Sequence, residues 1–75
     1  MRARRYIKDI ILEYMGPEGC YAKDLAGKVS ERLGMPFSKQ RASSYLALMF
    51  MSDEVQREPE IAAGALRRYK WFKSD

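Results

Sequence analysis

The sequence contains no histidine and one cysteine, Cys20. Without histidine, the common zinc-ligand spacings and the common neutral-pH general base are both missing. A single thiol cannot form a disulfide within the chain and suits a reducing compartment, so an intracellular setting, cytoplasmic or nucleoid-associated, is expected. Long apolar runs are lacking too, and no stretch reaches the length of a membrane span. The charged start leads into an amphipathic pattern instead of the apolar segment of a signal peptide. There is no repeat, low-complexity tract or linker-like composition, so residues 1–75 are expected to form a single domain. No grouping of carboxylates, lysines and the thiol forms a catalytic pattern, and neither an enzyme activity nor a cofactor is expected.

What the chain does have is positive charge, unevenly spread. The formal net charge is +4, which points to an anionic partner. Arg2, Arg4, Arg5 and Lys8 crowd the start, Arg67, Arg68, Lys70 and Lys73 crowd the end, and most acids lie between. The 47% of hydrophobic residues suffices for one small core, which excludes wholesale disorder.

Helical periodicity appears three times. Residues 3–15 place Tyr6, Ile7, Ile10, Ile11 and Tyr14 on one face, and Gly16-Pro17 ends the pattern. Glu18-Gly19 reads as a turn, and Cys20-Tyr21 as a minimal extended link whose tyrosine is expected in the core. Residues 22–33 place Ala22, Leu25, Ala26, Val29 and Leu33 inward and stop at Gly34. After Met35-Pro36-Phe37, Ser38 is a suitable N-cap for a third helix over residues 38–51. Its apolar face is Ala42, Tyr45, Leu46, Met49 and Phe50, and its other face carries Gln40, Arg41, Ser43, Ser44 and Ala47. Two helices joined by a short glycine-initiated connector make a helix-turn-helix pattern.

Beyond Met51 the period changes from helical to alternating. Residues 55–58 and 66–73 read as strands, with Pro59 to Ala65 as a long loop between them. Tyr69 and Trp71 are expected to cover the helices, leaving Arg68 and Lys70 on the opposite face.

Helix, short strand, helix, helix and hairpin is the order of the winged-helix (winged helix-turn-helix) family, which the chain resembles over nearly its whole length. The resemblance rests on Ala22-Lys23-Asp24-Leu25-Ala26-Gly27-Lys28, on residues 38–50, on Val55-Gln56-Arg57-Glu58 and on Tyr69-Lys70-Trp71-Phe72. It implies an α+β fold of three helices and a small antiparallel hairpin sheet in the order α-β-α-α-β-β. The third helix would then enter the major groove and the hairpin loop would reach the adjacent backbone or minor groove. Residues 22–58 are also similar to the Z-DNA-binding domains of RNA-editing deaminases, with Lys39 and Trp71 falling where those domains place a lysine and a tryptophan. Ser43 and Ala47 stand where those domains use asparagine and tyrosine, and the proline-rich wing is missing, so that function is rejected and the fold kept.

The expected partner is duplex DNA, and the expected role is transcription regulation. Ser38, Lys39, Gln40, Arg41, Ser43 and Ser44 are the candidate contacts at the start of the third helix. Arg67, Arg68 and Lys70 are the candidate phosphate contacts at the hairpin base. Apolar groups at Leu12, Leu48, Met51 and Ile61 add self-association as a homodimer to the expectations. An acidic, apolar wing around Glu58, Glu60 and Ile61 keeps a protein-interaction module as a competing reading, and an RNA-binding domain as a third.

Overall fold

The computed structural model describes residues 2–74, with side chains from Tyr6 onward. The chain is α+β, with helices α1 (Arg2–Tyr14), α2 (Ala22–Leu33) and α3 (Lys39–Met51) followed by strands β1 (Val55–Ala62) and β2 (Ala65–Lys73). The two strands form one antiparallel sheet. No helix among the described residues is long and apolar enough to cross a membrane.

The helix faces follow the periodicity closely. Ile7, Ile10, Ile11, Leu25, Val29, Ala42, Leu46 and Met49 are all buried, and Val55 and Trp71 close the core from the sheet side. Ser38 caps α3 as expected, its Oγ accepting the Arg41 backbone N–H at 3.1 Å. Phe37, read as part of a connector, is in fact a core residue at 5% exposure. Two residues move the other way. Tyr6 is exposed, and Tyr69 is only half-buried, with the Arg57 guanidinium over its ring.

The sheet departs from expectation in two ways. The expected first strand at Cys20-Tyr21 reduces to one antiparallel bridge, Cys20 to Trp71, with hydrogen bonds of 2.8 Å in both directions. The order is therefore α-α-α-β-β, because α2 begins at Ala22 and takes the chain away before a second pair can form. Gly19 feeds that bridge at φ +88°, and a Cβ there would meet the Phe72 ring at 2.6 Å, so only glycine fits the approach.

The second departure is the hairpin. Pro59 to Ala62 belong to β1 and not to a loop, and the strands join through a tight turn at Ala63-Gly64. Both turn residues have positive φ (53° and 76°), the backbone of the turn whose twist matches two antiparallel strands. Pro59 is tolerated for a geometric reason. Trp71 gives its backbone groups to Cys20, so its pair with Arg57 is not hydrogen-bonded, and two residues along the pair Pro59–Tyr69 is equivalent. The missing proline N–H thus costs no ladder bond. Between Glu60–Arg68 and Ile61–Leu66 the register slips, leaving Arg67 without a partner on β1 and adding twist to the hairpin.

Candidate nucleic-acid interface

The exposed side of α3 begins at its cap. Ser38, Lys39, Gln40, Arg41 and Ser44 are exposed, while Ser43 is half-buried. Ser38, Gln40, Arg41, Ser44, Tyr45 and Leu48 line a shallow open depression of ≈ 370 Å³. Two of the expected donors are already used within the helix. The Ser44 hydroxyl donates to the Gln40 carbonyl at 3.0 Å, and the Ser38 Oγ serves the cap. Arg41 is different: its guanidinium sits 4.9 Å above the Phe37 ring, which is itself fixed in the core against Tyr45. A planar cation on a fixed ring gives up fewer rotamers when it binds an anion, and its donors are spared for the ligand. Along the same face Ala47 is small and exposed, and Leu48 and Met51 are exposed apolar groups at 50% and 79%.

The hairpin cations do not lie at its base as expected: the tight turn at Ala63-Gly64 puts Arg67 and Arg68 near the tip and Lys70 midway, and they are less free than their number suggests. Arg68 Nε donates to Glu60 Oε1 at 2.9 Å, and its guanidinium covers the Tyr21 ring at 3.6 Å. The Tyr21 hydroxyl donates to the other Glu60 oxygen, so the three side chains form one closed unit. Lys70 lies beside the same ring at 5.9 Å and beside Phe72 at 5.8 Å. Tyr21, expected in the core, instead ties the start of α2 to the hairpin from outside. Arg67 is exposed at the register slip. Of the chain-start cluster, Lys8 pairs with Glu54 at 3.4 Å, while the side chains of Arg2, Arg4 and Arg5 lie outside the described residues.

The unit of Tyr21, Glu60 and Arg68 titrates at both ends. The Tyr21 hydrogen bond, with Arg68 behind it, holds the Glu60 carboxyl below its ordinary range, and the same bond raises the Tyr21 phenol. A depressed carboxyl stabilises the fold above its unfolded pKa, and that contribution is lost as pH falls through the lower folded value. Acidification below the ordinary carboxylate range should therefore lower the melting temperature in part through Glu60. Glu60→Gln should have a shallower acid limb in a series of thermal melts across pH. An acid limb identical to that of the parent would show that the unit contributes nothing. Cys20 departs upward from the ordinary thiol range because it is partly buried, which disfavours the thiolate.

Sequence reasoning overlooked Arg57. Alternation from the inward-facing Val55 places it on the core side of β1, opposite Trp71, and that signal was present in Val55-Gln56-Arg57. The guanidinium lies 4.3 Å from the Phe50 ring, 4.3 Å from Tyr69 and 5.7 Å from Trp71. Comparison with protein-family models, curated proteins and solved structures finds no match to this chain.

Proposed function

We propose that this chain binds duplex DNA, presenting the start and outer face of α3 to the major groove in the manner of a winged-helix regulator. The observation that carries the proposal is the pairing of a solvent-facing helix start, Lys39-Gln40-Arg41, with a bulk-free outer face at Ser44 and Ala47. Such a face admits the helix backbone close to base edges, and the capped N-terminus adds its positive dipole. Arg41 is the discriminating residue in this account, because its stacked fork is held ready for a guanine edge or a phosphate. Lys39 and Gln40 assist it, and Arg67 and Lys70 add a sequence-blind attraction. Arg68 is assigned a smaller share, since Glu60 already offsets its charge. The chain would act inside the cell as a regulator of transcription, and the exposed Ile61 on the hairpin, away from the α3 face, would be available for pairing two copies on adjacent half-sites.

A gel-shift comparison of duplex DNA, single strands and duplex RNA tests the partner class. Duplex DNA should bind tightest, and selection from a random duplex pool should yield a preferred sequence. On that sequence Arg41→Ala should cost about 1–3 kcal/mol and relax preference at one base position. Equal binding of all three nucleic acids, or an Arg41→Ala variant with unchanged selectivity, would defeat the proposal.

A further inference from the structure

Some positive side chains in this fold sit against carboxylates, and two arginines are held by aromatic rings alone. Lys8, Arg32 and Arg68 each sit against a carboxylate, at 3.4, 3.2 and 2.9 Å. Arg41 and Arg57 sit on aromatic rings instead, and among the described residues neither has a carboxylate within salt-bridge distance. Arg57 is the more constrained, with three rings around it. The acid next to it in sequence, Glu58, pairs across the sheet with Lys70, and strand alternation puts it on the other face. Among the described residues no oxygen accepts from the Arg57 side chain, yet no buried side-chain nitrogen is left unpaired. Its N–H groups therefore reach solvent. The rings hold the flat cation without using its donors.

The helix sets where these two cations stand. Arg41 and the Phe50 that supports Arg57 are separated by roughly two and a half turns of α3, so they lie on opposite flanks, about 13 Å apart along the axis. Between the flanks runs the exposed line of Gln40, Ser44, Ala47 and Met51. We infer that Arg57 is a second anion-contacting residue, gripping the phosphate backbone on the hairpin side of α3 while Arg41 serves the other side. This rests on the duplex-DNA reading and names a residue that reading did not require. Their placement on opposite flanks suits a helix lying in the major groove with one backbone on either side of it. Stacking prepays the ordering of a long side chain, so Arg57 should contribute to binding without rearrangement of the hairpin.

The test is fluorescence anisotropy of two labelled DNA duplexes, the selected sequence and a random one, across a salt series, with the wild type, Arg57→Met, Arg57→Lys and Arg41→Ala. Methionine keeps apolar contact with the rings and removes the charge. Arg57→Met should weaken binding to all sequences alike and flatten the plot of log affinity against log salt by about 0.9. Arg57→Lys should keep the slope. Emission of Trp71, the single tryptophan, and the melting temperature report whether the hairpin is intact. Should Arg57→Met fail to fold, Arg57→Gln takes its place with the same two readings. A folded neutral variant with the parental slope overturns the assignment of Arg57. If Arg41→Ala impairs binding in the same series, duplex-DNA recognition survives that result. If neither variant changes binding, both proposals fail together.

Discussion

A Trp71→Ala protein should be strongly destabilised and unfold at a much lower urea concentration than the parent. The indole is 4% exposed, meets Phe50 edge-on at 6.4 Å and Tyr69 at 5.8 Å, and supports Arg57 from below. Its backbone carries both hydrogen bonds that tie the sheet to the segment before α2. Removing a buried aromatic of this size costs roughly 3–5 kcal/mol. A domain of this length has roughly 4–11 kcal/mol in total, so the loss consumes a large part of it. Because the fluorophore goes with the mutation, urea unfolding should be followed by far-ultraviolet circular dichroism. A midpoint and slope like the parent's would mean that the hairpin is not anchored through Trp71.

Leu46→Ala should have the next largest effect. Leu46 has no exposed surface and sits in α3 between the equally buried Ala42 and Met49. Truncation should leave a cavity and cost about 2–5 kcal/mol. Two positions along, Leu48 is 50% exposed, and its replacement by alanine should change stability by no more than about 0.5 kcal/mol. The contrast between neighbouring leucines checks the rotation of α3, and with it which side chains face outward. Equal losses at the two sites would place the helix in a different register.

The helices were legible because their signals are local. Periodic apolar residues, Gly16-Pro17, Gly34 and Ser38 each act within a turn of where they stand. The hairpin was less legible for the same reason. Its turn is Ala63-Gly64, and alanine gives no hint of the positive φ that it adopts there. Pro59 reads as a strand breaker, and only the pairing of Trp71 with Cys20 puts it where its missing N–H is harmless. The Cys20 bridge and the burial of Phe37 depend on contacts between distant segments, which no local pattern carries.

The candidate site divides along the same line. Exposure of Lys39, Gln40, Arg41 and Ser44 followed from helical spacing. The state of each cation did not, because it depends on partners remote in sequence. Arg68 is offset by Glu60 from the facing strand, and Arg57 is held by Phe50 from α3 and by Tyr69 and Trp71 from β2. A count of basic residues on the hairpin therefore overstates the part available to an anion. The stacked arginines at Arg41 and Arg57 are the better guide.

The most direct measurement of the central claim is the salt dependence of wild-type affinity for duplex DNA. With Arg57, Arg67 and Lys70 each neutralising a phosphate, log affinity against log salt should fall on a line with a slope of about −2.7 or steeper. Single strands of the same length should bind more weakly at every salt concentration. No detectable duplex binding at low salt, or an affinity indifferent to salt, would contradict the account and turn attention to a protein partner.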